Sequence, residues 1–399
     1  MSSGTLDGQG TRSLDRERLA RAYLLRVAEP PAPALVELVA RHGPILAADR
    51  VRAGECSGRV VDETAARRGI ELAEQDFDEA GKCDGRLVIP EDDEWPAWPL
   101  LALEMATSRG AQGVSPPLGL WVRGAARLDE VADRAVAIVG ARASTRYGEQ
   151  VASEWAHGLS GQDMPVLSGA AYGIDGAAHR GALHAGGLTA AVLGCGLDQG
   201  YPAGHVALLD RIAEHGLVVS EYPPGTPPAR HRFLVRNRLI AALSDGTIVV
   251  EAGARSGARN TASTAGVLGK VVMAVPGPVS SAMSVGCHGL IRDAGATLVA
   301  SLAEVVETVG RLGVAAPERA KPRRRTDGLD EQSLRVHEAL APRTGKPSEQ
   351  LAAESGVPLP RVRAVLPVLE LDGLAERCEG GWRRSRNPAT APPERAGFR

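Results

Sequence analysis

The chain has 399 residues, 44% of them hydrophobic and 24% charged, with a formal net charge of −2. That length calls for more than one domain, and no run of about 18 apolar residues is present to span a bilayer. Near-neutrality excludes a whole-molecule basic field for nucleic acid, so any polyanion site must be a local patch. Lysine is scarce, and arginine must supply most of its charge. The opening residues MSSGTLDGQGTRS hold no apolar stretch of the secretion-signal type. Cysteines 56, 83, 195, 287 and 378 stand singly, without the close pairs of zinc or redox sites, and a reducing cytoplasm is expected.

In chain order, DRERLARAYLLRVAE and PALVELVARHG are amphipathic and are interrupted by Pro30, Pro31 and Pro33. AADRVRAGE and ETAARRGIELAEQ continue the pattern, which predicts a small all-helical unit to about residue 80. Such a unit serves either for packing or for binding a partner or a backbone. Residues 84–128 read as irregular connecting structure with two short strands, RLVIP (86–90) and LGLWVRG (118–124). Trp95, Trp98 and Trp121 are expected to seal the helical unit onto a sheet.

Six short apolar runs then recur: AVAIVGAR (135–142), VLSGAAYGIDGAAH (166–179), TAAVLGCGLDQGYP (189–202), LVVSEYPPG (217–225), GTIVVEAGARSG (246–257) and VVMAVPGP (271–278). Strands so free of polar residues are covered on both faces, which predicts an α/β fold: a mostly parallel sheet with helices on each side. Helices are predicted over 148–160, 205–216, 236–244, 260–270, 286–295 and 301–312, and Asp175 is placed at the opening of another. In such sheets ligands bind beyond the carboxyl ends of the strands.

PERAKPRRRTDG (317–328) reads as an exposed linker, with a basic run at Arg323–Arg325. Beyond it, helices over 333–340, 348–355 and 358–373 precede a turn at Glu379-Gly380-Gly381, the pattern of a helix–turn–helix with a two-stranded wing. Ser348 is placed as an N-cap and Gly356 as the turn. Pro367 is expected to kink the third helix. Winged helices of this kind serve protein contacts and duplex DNA alike.

The strand ends carry none of the common catalytic signatures. GARASTRYG is not G-x-G-x-x-G, and G-x-x-x-x-G-K-[ST], H-E-x-x-H and G-x-S-x-G are absent. No metal or cofactor is expected. Asp175, Asp198 and Glu221 sit where an acid–base pair would sit; the competing reading makes Asp175 a helix N-terminal charge and Glu221 an arginine partner. Phosphate binding is better supported. Gly169, Gly173, Gly194, Gly196 and Ser256-Gly257 offer backbone N–H groups at helix starts. Arginines 142, 146, 230, 232, 236, 238, 255 and 259 fall at the same edge, as do Tyr147, Tyr172, Tyr201, Tyr222 and Phe233. Rings beside a line of arginines are how single-stranded nucleic acid is held without sequence preference. Arg142 and Arg238 are expected to face one common groove.

IVGARASTRYG, LSGAAYGIDGAAHRGAL, TAAVLGCGLDQGYP, VVSEYPPG, FLVRNRLIAALS, VVEAGARSGARNTA and AVPGPVSSAMSVGCHGLI, in that order, resemble the DNA processing protein A (DprA/Smf) family over residues 135–299. The resemblance implies an extended Rossmann-like core that binds and protects single-stranded DNA. It also implies a homodimer that helps load the RecA recombinase on incoming DNA in natural transformation and recombination, with no enzymatic step. The family's central arginine matches Arg142, its RNR element Arg236-Asn237-Arg238, its SG element Ser256-Gly257, and its glycine turn residues 169–175. With the aromatic and basic neighbours, the DNA-binding candidates are Arg142, Arg146, Gly169, Tyr172, Gly173, Arg232, Phe233, Arg236, Asn237, Arg238, Ser256, Gly257 and Arg259. The family's self-association face implies His288, Leu290, Ile291 and Leu298 as dimer-interface candidates, where recombinase contact is expected as well. Ala203 stands where relatives often carry lysine, SGARNT replaces the usual SGS-L/M-I-T, and Gly266 replaces a bulky apolar residue. Arg259 is the candidate replacement cation.

The domains expected are a disordered N-terminus (1–13), a SAM-like helical domain (14–82), the Rossmann-like DNA-binding domain (83–312), a linker (313–328), a winged helix (329–386) and a disordered tail (387–399). Two other classes stay open. One is a nucleotide-processing enzyme of the phosphoribohydrolase kind, whose P-G-G-x-G-T-x-x-E run is absent, SDGTIVVE being nearest. The other is a regulator that grips duplex DNA through the winged helix.

Overall fold

A computed structural model describes residues 6–310 and 326–385. Its contacts divide into two compact units, Met1–Ala316 and Pro317–Arg399. The first opens with helices α1 (Leu6–Val27), α2 (Pro33–His42), α3 (Pro44–Ala53), α4 (Gly58–Thr64) and α5 (Ala73–Gly81). Proline begins α2 and α3, at the position where its missing N–H is not needed. Helix α1 starts within the stretch 1–13 expected to be disordered, because helix growth is cooperative and a formed segment extends at little further cost. Residues 1–5 lie outside the described residues.

This helical layer does not form a core of its own. Tyr23, Leu24, Leu35 and Ala47 are fully buried together with Leu193, Val218 and Trp121 of the sheet region. Trp121 lies on strand β2 (Leu120–Arg123), which pairs antiparallel with β1 (Gly85–Val88), and its ring meets Phe77 at 5.3 Å. Trp95 is partly buried against the opposite core. Trp98 is 82% exposed and seals nothing. It sits on α6 (Ala97–Ser108), a helix within the stretch expected to be irregular. AWPLLALEMATS is apolar nearly all round, so no 3.6-residue stripe marks it.

After α7 (Leu128–Ala132) the chain alternates strand and helix: β3 (Val136–Val139), α8 (Arg146–Ser160), β4 (Val166–Ser168), α9 (Ile174–His184), β5 (Thr189–Leu193), α10 (Val206–His215), β6 (Leu217–Ser220), α11 (Arg230–Ala242), β7 (Gly246–Val249), α12 (Gly257–Val267), β8 (Val271–Ala274), α13 (Val285–Asp293), β9 (Thr297–Leu298) and α14 (Leu302–Val309). The nine strands form one sheet in the order β1-β2-β6-β5-β4-β3-β7-β8-β9, parallel from β6 through β9. Every residue of β3 to β7 is buried, which is why these runs carry no charged residue and only an occasional Ser or Thr. Leu100, Leu239, Ala262 and Leu290 cover one face of the sheet, and Trp155, Ala178 and Val305 cover the other. This is the mixed α/β architecture read from the sequence.

The strand order matters for function. Successive strands step outward from β3 through β6; the chain then returns to pair β7 with the other side of β3. Loops leaving β3 and β7 therefore diverge and open a crevice between them, the place where open α/β sheets take ligands.

In the second unit α15 (Glu331–Ala339), α16 (Ser348–Ser355) and α17 (Leu359–Leu371) pack around Val336, Leu351, Val362 and Leu366, with β10 (Ala375–Cys378) and β11 (Gly381–Arg384) as the wing. Gly356 ends α16 in the left-handed region at φ 67°, as a turn requires. The N-cap of α16 is Pro347 rather than Ser348, which lies one residue inside the helix. Pro367 is contained within α17. Arg323–Arg325, most of the expected linker and the tail 387–399 lie outside the described residues. Among the described residues, no helix is long and apolar enough to cross a membrane.

Candidate nucleic-acid interface

The crevice between β3 and β7 opens into a groove of about 880 Å³ whose lining includes Arg142, Arg230, Phe233, Asn237, Arg255 and Ser256. That lies toward the upper end of the roughly 300–1,000 Å³ of small-molecule pockets. Beside it a tight recess of about 20 Å³ is lined by Arg142, Gly169, Tyr172, Tyr201, Phe233 and Arg236.

The glycine turn after β4 is built for close approach. Gly173 has φ 77°, and a Cβ there would stand 2.4 Å from the Ala141 carbonyl oxygen and 2.7 Å from that of Arg142. Glycine at this position lets the β3 and β4 loops touch. At Gly169 a Cβ would lie 2.4 Å from Nη2 of Arg236. Asp175, in the first turn of α9, accepts from the N–H groups of Gly169 at 3.1 Å and Ala171 at 3.4 Å. It therefore holds the turn; burial pushes its carboxyl upward, against the opposing pull of Arg236.

Arg236 is itself buried, donating to the carbonyl oxygens of Gly169, at 3.0 Å, and Val192. Burial pulls its guanidinium down to about 10, still protonated at neutral pH. It forms part of the floor of the recess and supplies positive potential from beneath. Asn237, also buried, donates to Asn260 Oδ1 at 3.1 Å.

Aromatic rings line the recess. Tyr201 and Phe233 stack with centroids 5.2 Å apart and planes 28° apart, and the Arg142 guanidinium lies 5.6 Å over Phe233. Tyr172 is half exposed; its hydroxyl accepts from the Gly204 N–H at 3.1 Å while its ring meets His205 edge-on at 4.8 Å. Ser256 caps α12 by accepting from the Ala258 N–H at 3.3 Å, and with Gly257 it turns that helix N-terminus toward the groove, a natural anion site.

The arginines divide. Arg142, Arg230 and Arg255 are exposed around the groove and have no carboxylate partner among the described residues. Arg238 does the reverse. It is buried, bonded to Glu221 at 2.7 and 2.8 Å and to the Ser115 carbonyl at 3.0 Å, and it points away from the groove. Residues two apart on a helix project about 200° apart, so Arg236 and Arg238 cannot share a face. The expectation of a common groove therefore holds for Arg142 and fails for Arg238, and Glu221 is an arginine partner rather than an acid.

Arg232 also turns away, bonded to Glu29 at 2.7 and 3.1 Å and lying 5.3 Å over the Tyr222 ring. Arg259 donates to the Ala254 carbonyl at 2.6 Å and lines a neighbouring depression between α12 and α13. Arg146, exposed at the start of α8, lines neither groove nor recess. Arg230 and Arg255 were absent from the candidate set, although both fell within the arginine-rich strand edge. No motif singled them out. Helix α11 begins at Arg230, ahead of the predicted start at 236, because charged residues on every side of its first turns leave no apolar stripe.

Among the dimer-interface candidates, Leu290 is only 5% exposed and packs into the core, since α13 lays it on the sheet. It is a wall of the α12–α13 depression rather than a projecting contact. His288 is half-buried with Nε2 at 3.0 Å from the Gly277 carbonyl oxygen, and Ile291 is half-buried. Leu298, on edge strand β9, is 49% exposed. No group of three His, Cys, Asp or Glu side chains fit to hold a metal occurs among the described residues.

Comparison with known proteins gives the family. The profile of the DNA recombination-mediator protein A family matches residues 86–310, and that of the DprA winged helix domain matches 320–381. A DprA protein of Mycobacterium tuberculosis is 50% identical over 370 residues, covering 93% of this chain and 95% of the relative. Protein Smf of Escherichia coli is 37% identical over 255 residues, covering 63% of this chain and 68% of the relative. The X-ray structure of DNA processing protein A from Streptococcus pneumoniae superposes with a TM-score of 0.56 at 32% identity, covering 74% of this chain and 96% of that one. The chain belongs to the DNA processing protein A (DprA/Smf) family of recombination mediators.

Proposed function

We propose that the β3–β7 groove binds single-stranded DNA without sequence preference, with Arg142, Arg230 and Arg255 on phosphates and bases stacking at the Tyr201–Phe233 recess. One observation carries the reading: three unneutralised guanidinium groups surround a groove that ends in an aromatic recess. Stacking is indifferent to base identity, since every base has a π face. Helix α17 supports placing the site here. Its Arg361 and Arg363 are engaged with Asp330 at 3.2 Å and Glu349 at 2.6 Å, while Val368 and Leu371 are exposed. Little free positive charge is left on that helix for a duplex.

In this reading the protein coats incoming strands and passes them to the RecA recombinase. It acts as a homodimer in the cytoplasm, without a catalytic step or cofactor. The chain is organised as a helical domain (14–82), a DNA-binding domain (83–312), a linker (313–328) and a winged helix (329–386). Fluorescence anisotropy with oligo-dT and with duplex of equal length, across a salt series, tests the central claim. Single strand should bind more tightly, and log K should fall linearly with log salt. Duplex binding as tightly as dT, or binding lost on deletion of residues 326–399, would overturn it.

A further inference from the structure

The start of α11 sets the recess, because its first turns carry Phe233, whose ring both stacks on Tyr201 and lies under Arg142. The segment leading into it, Tyr222-Pro-Pro-Gly-Thr-Pro-Pro-Ala229, is rich in proline and glycine and forms neither strand nor helix. Two groups from the N-terminal helical layer hold that segment and the helix it leads into. Arg26, paired with Asp76, donates to the Pro224 carbonyl oxygen at 2.7 Å. Just past the end of α1, Glu29 receives Arg232 through Nε at 2.7 Å and Nη2 at 3.1 Å, Arg67 at 2.9 Å, and His231 Nε2 at 3.2 Å.

We infer that Glu29 is a positioning residue for the DNA groove: through Arg232 it fixes the first turn of α11, and through that turn it fixes the Phe233 ring. A carboxylate gathering donors from two layers of the fold is a directional tie, unlike the apolar contacts around it. Burial works against its charge, but the hydrogen bonds from Arg232 and Arg67 outweigh that and leave the carboxyl below its usual range. Arg232, with its side chain 13% exposed, is thereby taken out of the set of phosphate contacts and made part of the scaffold. The helical layer then tunes the groove without touching DNA. For affinity this inference rests on the proposed single-strand binding; for the tie itself it does not.

The test is hydrogen exchange on the full chain, comparing wild type with Glu29→Ala, Arg232→Ala, the double variant, and Glu37→Ala as a control on α2 with its own surface partner Arg41. Amides over residues 233–238 should exchange on the order of tenfold faster in Glu29→Ala and in Arg232→Ala, with the rest of the sheet unchanged. The double variant should add nothing further, since both members act on one link. Oligo-dT affinity of Glu29→Ala should fall about fivefold through lost preorganisation, with the slope of log K against log salt kept. Unchanged exchange in Glu29→Ala, independent addition in the double variant, or a smaller salt slope in Arg232→Ala would overturn the inference. The exchange arm reads the tie without DNA, so failure of the wild type to bind oligo-dT would sink the proposed function alone.

Discussion

The loops that end β3 and β7 and the helix α11 are both marked by arginine, yet past its exposed first residue, Arg230, the helix uses it in the opposite way. Arg142 and Arg255, on the loops, are exposed and unpaired among the described residues; Arg232, Arg236 and Arg238, on the helix, are each held by carboxylate or carbonyl oxygens. A helix packed on a sheet must point some of its side chains inward, whereas a loop at a strand end has no such obligation. A guanidinium in a family motif is thus as readily a structural strut as a ligand contact. Only its partners tell which.

The sharpest way to break this contrast is at Arg238. Arg238→Ala strands the Glu221 carboxylate in a site where its side chain is 4% exposed, and should lower stability by about 3–5 kcal/mol. Urea denaturation measures the loss, and an unchanged midpoint would refute the strut assignment. Next comes a second interior base. His179 is fully buried with Nδ1 at 2.8 Å from Thr189 Oγ1, and burial holds its pKa near 3, down from 6.5. Because the folded value is depressed, the unfolded chain takes up the proton first as pH falls. Stability is therefore complete above 6.5 and should decline by about 1.4 kcal/mol per pH unit between 6.5 and 3. His179→Asn should flatten that slope by one proton equivalent in a pH series of denaturation midpoints.

On the exposed side the effects move from stability to binding. Phe233→Ala should cost about 1–3 kcal/mol of oligo-dT affinity, the worth of a stacked base, with its main effect in the dissociation rate. Arg142→Ala and Arg255→Ala should leave the denaturation midpoint alone, while each lowers the salt slope by about 0.7 for its lost phosphate contact. Smallest of all, Arg259→Ala should change oligo-dT binding by less than about twofold, within the range of peripheral surface charge. A larger loss would extend the groove into the α12–α13 depression.

These contrasts also show what the chain alone discloses. The strands of the parallel sheet were legible because burial on both faces leaves unbroken apolar runs, and the glycine turn was legible because Gly173 answers a steric demand. Phe233 and Arg142 were found because a ring and a charge met at one strand edge. Helix α6 stayed hidden, since AWPLLALEMATS is apolar on every side and gives periodicity nothing to detect. Arg238 was misplaced for a different reason. A motif shows which residues are neighbours in sequence, but the helical turn that sends Arg236 and Arg238 to opposite sides appears only once the helix boundaries are known. Arg232 depended on Glu29, a partner some two hundred residues away, which no local pattern could disclose.

The Arg238–Glu221 pair carries an evolutionary consequence. Either residue changed alone leaves its partner's charge stranded in the interior, so single-step drift at this pair crosses a deep fitness valley. Simultaneous exchange of both for apolar side chains of similar volume crosses a far shallower one, set by the Ser115 carbonyl's lost donor, because a buried ion pair adds little net stability over such a replacement. A descendant could therefore lose the last letter of its Arg-Asn-Arg signature in one coupled event and keep the β3–β7 groove intact.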